Sequence, residues 1–208
     1  MPRIDAPTIA QHRAQRRRAL LDAARALLTE DPHRIPTLAA VATRAGLPRS
    51  SVYEYFPSQR DILLELVQEI LPNWSRRVTA AIAAADSPGE KVLAYASANL
   101  RLVAEGEHAL ATALIQSVPG EQVSASTQHM HEQMSHPLAA ALTDLGLPDP
   151  SVTAGLISSI VYTASRMIEA GSDATAIEAR VRELLAPFLL GHAGAAAPRR
   201  PSTATDDA

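Results

Sequence analysis

From Leu20 to Leu71 apolar side chains return every three or four residues, and prolines and glycines cut the pattern into lengths that suit only a set of packed helices. Leu20, Leu21, Ala24, Leu27 and Leu28 share one face of a first helix, expected over 16–28 and closed before Pro32. Thr37 is placed to cap a second helix, in which Leu38, Val41, Ala42 and Ala45 repeat on one face. Gly46, which tolerates the left-handed backbone of a helix end, stops it after about two turns. Pro48 suits the first turn of a third helix, with Val52 and Phe56 pointing inward, Ser50, Ser51, Tyr53 and Glu54 outward, and Pro57 closing it. Ser58 is placed to cap a fourth, amphipathic through Ile62, Leu63, Leu66, Val67, Ile70 and Leu71, with Pro72 as its expected stop.

The pattern continues with helices expected at 73–85, 88–104, 107–118, 122–145, 150–170 and 173–190. No strand pattern competes, so the fold class is all-α with about nine to ten helices. Composition agrees: hydrophobic residues make up 47% of the chain but aromatics only 3%, leaving Ala, Leu, Val and Ile to build the interior. With no cysteine there is no disulfide framework, thiolate zinc site or cysteine nucleophile. No apolar run of signal-peptide character opens the chain and none of membrane-spanning length follows, so a cytoplasmic protein without membrane partners is expected.

The net charge of −3 hides a division. Residues 1–60 hold ten Arg against five acids, +5, whereas residues 61–208 hold nine basic residues against seventeen acids, −8. A basic head before an acidic body is what a chain needs if one part meets phosphate and the other does not. Two short helices joined by a tight glycine turn are likewise a helix-turn-helix, whose second helix has the diameter to enter a DNA major groove. On pattern alone such a pair is as often plain packing.

The run TLAAVATRAGLPRSSVYEYFPSQRDILLELV, Thr37 to Val67, resembles the signature of the TetR family: a Thr-started helix, an Ala-Gly turn, a Tyr-x-His/Tyr-Phe stretch and an amphipathic fourth helix. Arg17, Leu20, Leu21, Ala23, Ala24 and Leu27 resemble that family's first helix, so the resemblance covers about 13–71. It departs at Pro48, where the family often has a Ser cap, at Tyr55, where His is frequent, and at Gln59, where a Lys usually meets a phosphate. The resemblance implies a DNA-binding domain over 13–71 with its helix-turn-helix at about 37–56 and a ligand-binding and dimerisation domain over 72–190, while the Ala, Pro and small polar composition of 191–208 holds too little apolar surface to fold and reads as a disordered tail, with 1–12 as a flexible arm. It implies double-stranded operator DNA and a small-molecule effector as partners, a homodimer, and no catalytic residues, metal or cofactor.

The residue chemistry fits that resemblance. Arg49 has the fork that pairs with guanine or clamps a phosphate, and Ser50 and Ser51 are small enough for close approach. Tyr53 and Tyr55 offer hydroxyls to phosphate, with a ring packed between the third helix and the first as the alternative for Tyr53, while Thr37 and Ser58, with Pro48 between them, place helix N-termini where a backbone would pass, with simple capping as their alternative. Arg44 faces away from the apolar side of its helix, and Arg13, Arg16, Arg17 and Arg18 have the reach of a minor-groove arm, with a solvated surface as the alternative. In the body, the small residues of 150–170 permit close helix approach; Gly155, Leu156, Ser159, Ile160, Thr163 and Met167 are the expected dimer interface, although a buried helix would look the same. Trp74, Tyr95, Asn99, Met130 and Tyr162 are the residues that could line a pocket for the effector, although side chains of these types are more often ordinary core or surface.

Other chemistries find little support. His131 and His136 are five residues apart, about 500° around a helix, so they do not form the one-face pair of a zinc protease. His129 and Gln133, or Glu132 and His136, have the one-turn spacing of a metal pair but read better as surface. There is no Gly-x-Ser-x-Gly and no phosphate-binding glycine loop, so an enzyme is not expected. The remaining alternative is a helical adaptor that kept the fold and lost DNA binding.

Overall fold

A computed structural model describes residues 9–32 and 34–192. Among them are eight α-helices and one 3-10 turn, with no strand: α1 (Ile9–Glu30), α2 (Leu38–Arg44), the turn at Ser51–Glu54, α3 (Gln59–Ala83), α4 (Pro88–Ala104), α5 (Glu107–Ser117), α6 (Glu121–Asp144), α7 (Pro150–Glu169) and α8 (Ala174–His192). The all-α class holds, with a slightly smaller helix count than expected.

Two departures explain that count. Helix α3 runs through Pro72, so the expected fourth and fifth helices are one. A proline inside a helix removes a backbone donor and costs on the order of 3 kcal/mol. Burial outweighs it here: Ile70 and Leu71 before the proline and Trp74, Val78 and Ile82 after it stay on one apolar face, all buried. The Ser75 hydroxyl also donates to the Pro72 carbonyl at 3.2 Å. The expected third helix shrinks to a four-residue 3-10 turn. It is trapped between Pro48, which brings no donor, and Pro57, which bars Phe56 from the helical region.

The termini also differ. Residues 9–12 of the expected arm belong to α1, and α8 continues to His192, into the expected tail. Residues 1–8 and 193–208 of those two segments lie outside the described residues.

The chain divides into two compact units, and the division does not follow the expected boundary at 71/72. The first unit is Met1–Arg76 with Leu102–Gln133, so the head is compact with α5 and the first half of α6. Its core comprises Leu20, Ala24 and Leu28 of α1, Val41 and Ala42 of α2, Val52, Phe56, and Ile62 and Leu66 of α3. An ion pair between Arg25 of α1 and Glu107 of α5, and Arg60 donating to the Pro119 carbonyl at 3.4 Å, tie the head to the rest of this unit. The second unit is Arg77–Arg101 with Met134–Ala208. Its core comprises Val92, Leu93 and Leu100 of α4, Leu138 and Leu142 of α6, Ile157 and Val161 of α7, and Val181, Leu185 and Leu189 of α8. No helix among the described residues is long and apolar enough to cross a membrane.

Candidate nucleic-acid interface

At the N-terminus of α2 the Thr37 hydroxyl accepts from the Ala40 amide at 3.2 Å, which leaves its own proton to give outward. At the other end Gly46 has φ +69°, its amide donates to the Thr43 carbonyl at 3.2 Å, and the Leu47 amide donates to Ala42 at 2.9 Å. That pair of bonds is a Schellman closure, which needs the left-handed residue that glycine supplies. The chain thereby leaves α2 sharply and enters the short turn that follows.

Within the turn, alternation between core and solvent does the sorting. Val52 and Phe56 are fully buried, and Tyr53 is 59% exposed. Arg49, Ser50 and Glu54 are exposed, Ser51 and Tyr55 half-buried, and Pro48 exposed. Arg49 has no intramolecular ion pair among the described residues, so its fork faces solvent unengaged. Ser58 starts α3 with a capping box: its hydroxyl and amide donate to the Asp61 carboxylate at 2.7 and 2.8 Å, and the Asp61 amide donates back at 3.3 Å. Arg49, Ser50 and Tyr53 thus stand out from a rigid corner whose two flanking helix N-termini are capped by Thr37 and Ser58.

Three expectations change. Arg44 is exposed as expected, but its guanidinium pairs with Glu30, one branch at 3.1 Å. This pairing raises the Arg44 pKa and holds the Glu30 carboxyl below its usual range. Arg13, Arg17 and Arg18 do not form an arm, because α1 extends through them and other parts of the unit engage them. Arg18 pairs with Asp22 and Glu69, both at 2.8 Å; Arg13 lies over the Tyr55 ring, 5.8 Å from its centre; Arg17 is bound to Glu65 and to the Tyr55 carbonyl. Arg16 is exposed. Gln59, which stands in place of a phosphate-binding Lys, has a structural use instead: its amide donates to the Pro36 carbonyl at 2.8 Å, fastening the start of α3 to the approach of α2.

The body residues fall in different places. Trp74 and Met130 are buried in the first unit, with the Trp74 ring edge-on to His108 at 5.9 Å. Tyr95 and Asn99 are buried in the second, where the Tyr95 hydroxyl reaches Ser158 at 3.4 Å and the Asn99 amide donates to the Tyr95 carbonyl at 2.8 Å. Tyr162 departs from the expected interior position: it is 60% exposed on α7, about 100° round from buried Val161. Leu156, Ser159, Ile160, Thr163 and Met167 of α7 line one apolar groove with Ile177, Val181 and Leu184 of α8, a space of about 560 Å³, and Gly155 is exposed beside them. His129, His131, Glu132 and His136 are exposed, and no three potential metal ligands gather among the described residues.

Residues 20–66 match the profile of bacterial regulatory proteins of the tetR family. A curated relative, the HTH-type transcriptional regulator BetI of Agrobacterium fabrum, is 33% identical over 79 residues, which is 38% of this chain and 38% of that protein. The match therefore spans well under half of the relative's length. Among solved structures, a TetR/AcrR family regulator from Thermobifida fusca superposes with a TM-score of 0.69 at 20% identity, covering 83% of this chain and 97% of that one. FadR of Bacillus subtilis, solved in complex with stearoyl-CoA, has a TM-score of 0.60 at 22% identity over 81% of this chain and 97% of its own. At such identities the likeness is one of fold, while the head is matched in sequence as well. The tetR-family head is thus matched in sequence over residues 20–66, and the fold of TetR/AcrR regulators extends over more than four fifths of the chain.

Proposed function

We propose that the protein is a sequence-specific DNA-binding transcriptional regulator, a homodimeric repressor released from its operator by a small molecule. The observation that carries the DNA reading is the corner after Gly46: Val52 and Phe56 anchor the turn in the core while Arg49, Ser50 and Tyr53 face solvent. Arg49 and the serines read base edges; Thr37, Tyr53, Tyr55, Ser58 and, once detached from Glu30, Arg44 position the backbone; Pro48 sets where the turn begins. The reading segment is 13–71, and the ligand-binding and dimerising role falls to 72–190, of which α5 and the first half of α6 are compact with the head.

Dimerisation is supported by the groove of α7 and α8, whose rim leaves Leu156 and Leu184 each 63% exposed. Apolar side chains that prominent belong against a partner, and a second copy would set two heads on half-sites about 34–36 Å apart. A small-molecule effector is supported by the stearoyl-CoA bound to FadR; the candidate lining residues are the buried Trp74 and Met130 within the first unit and the buried Tyr95 and Asn99 within the second, each pair taken in its own unit. Release follows if the effector prefers a dimer geometry that the operator does not. Such a protein works in the cytoplasm.

The test is fluorescence anisotropy of the purified protein on DNA from upstream of its own gene and on operators selected from random DNA, with an unrelated fragment and a salt series. Selective binding with a steep salt slope is expected, lost in Arg49→Ala and Tyr53→Ala. Equal selectivity in both variants refutes the residue assignment. Absence of DNA binding at every salt concentration refutes the function and leaves the adaptor reading.

A further inference from the structure

A four-residue turn between two prolines makes too few backbone bonds to hold itself in register. Inside it, the Val52 carbonyl takes both the Tyr55 and the Phe56 amides, at 3.1 and 2.9 Å. The carbonyls of Glu54 and Tyr55 have no following helical turn to bond. Both are taken from outside by arginines of α1: Arg13 donates to the Glu54 carbonyl at 3.4 Å, and Arg17 donates to the Tyr55 carbonyl at 3.1 Å.

Arg17 does more. Its Nε donates to Glu65 at 2.9 Å, its second terminal nitrogen donates to the other oxygen of the same carboxylate, and its guanidinium carbon lies 4.6 Å from the centre of the buried Phe56 ring. One side chain therefore joins α1, the reading turn and α3, which are its support on either side. We infer that Arg17 is a positioning residue for DNA reading: through Glu65, the Tyr55 carbonyl and the Phe56 ring it sets the pitch of the turn that presents Arg49 and Tyr53, and it does not hold the DNA backbone. This rests on the proposed DNA-reading function.

The competing role, a phosphate contact, is what a basic residue 43% exposed near a DNA-facing turn would ordinarily be given. The geometry argues against it. All three nitrogens of the guanidinium are engaged, and the carboxylate that holds two of them would itself repel a phosphate. Only an arginine meets these demands, because the planar fork takes a carboxylate two-pronged and still has a donor for a carbonyl, which a lysine ammonium cannot do in one geometry.

The two roles predict opposite signs. Glu65→Gln removes a negative charge, so a phosphate-binding Arg17 would be released and DNA affinity would rise on every sequence. A positioning Arg17 loses its anchor, and affinity falls on the operator alone. The experiment is anisotropy with the selected operator and an unrelated duplex across a salt series, on the wild-type dimer, Glu65→Gln, Arg17→Lys and Arg17→Gln, each first shown to melt cooperatively by circular dichroism.

The expected result is a loss of selectivity of about tenfold or more in all three variants, comparable to one mismatched base pair. Non-specific affinity and the salt slope of Arg17→Gln stay as in the wild type. Tighter binding of Glu65→Gln to both duplexes, a slope in Arg17→Gln lowered by about 0.9 per subunit, or full selectivity in Arg17→Lys each overturns the inference. Arg17→Lys and Glu65→Gln keep the test decisive if Arg17→Gln does not fold. A wild-type protein that binds both duplexes alike refutes the DNA-reading function itself, which is a different outcome from a selective wild type with equally selective variants.

Discussion

Gly46 closes α2 at the corner of the helix-turn-helix, and its replacement isolates a single physical term. With φ at +69° it lies in the left-handed region, yet a Cβ built on it meets no atom within 4 Å. Gly46→Ala therefore brings no clash, only the backbone cost of holding an L-residue left-handed, about 1–2 kcal/mol. Against this, the alanine restricts the unfolded chain and returns about 0.4–1 kcal/mol, for a net loss of about 1 kcal/mol. For a chain of this length that lowers Tm by about 2–4 °C. Asn, whose short polar side chain bonds locally, costs less, and Val, with a branched Cβ, costs more. Thermal unfolding followed by circular dichroism should rank the four proteins Gly, Asn, Ala, Val in falling Tm. Equal Tm across the series would mean that the Schellman closure through Thr43 and Ala42 is not what holds this corner. A much larger loss in Ala than about 2 kcal/mol would mean that the space beside Gly46 is filled.

Thr37→Ala removes the hydroxyl that caps α2 and is expected to cost about 1 kcal/mol in chemical denaturation, with Thr37→Ser close to wild type. Glu30→Gln releases Arg44 for phosphate, so DNA affinity is expected to rise at low salt and the salt slope to steepen by up to about one per subunit; a flatter slope contradicts that role for Arg44. The same pair has a pH signature. The Glu30 carboxyl is held below its usual range by Arg44, so its contribution is complete above that range and is lost as pH falls through the lowered value. Carboxyl-detected NMR should show Glu30 titrating below an unpaired glutamate, and in Arg44→Gln it should return to the usual range. Leu156→Glu and Leu184→Glu place charge in the groove of α7 and α8 and are expected to turn a dimer into monomers in sedimentation velocity, while a monomeric wild type refutes dimerisation through this face.

Much of the head is legible in the amino-acid sequence. Leu20, Ala24, Leu28, Val41, Ala42, Val52 and Phe56 are buried where their period places them, Thr37 caps α2, and Gly46 takes the left-handed conformation. Pro72 is misleading. A proline there reads as a helix end, and the signal against that reading is Trp74, Val78 and Ile82 continuing the apolar face beyond it. The length of the turn is legible only in part, since Pro48 and Pro57 bound it while its 3-10 winding depends on what supports it.

The side-chain partnerships are another matter. Arg17 meets Glu65 across 48 residues, Gln59 meets Pro36 across 23, and Arg44 turns to Glu30 rather than outward. A short stretch of sequence holds everything that decides a cap, a helical face or a left-handed glycine, because these bonds close within one turn of the chain. It says nothing of which helices cross. Helix crossings follow from packing the apolar faces together, and only then do particular arginines come within reach of particular carboxylates and carbonyls. By itself the sequence determined most of the helices, their caps and the outward set Arg49, Ser50 and Tyr53. The tertiary structure decided that Arg13, Arg17 and Arg18 serve the protein's own framework, and that α5 and half of α6 are compact with the head.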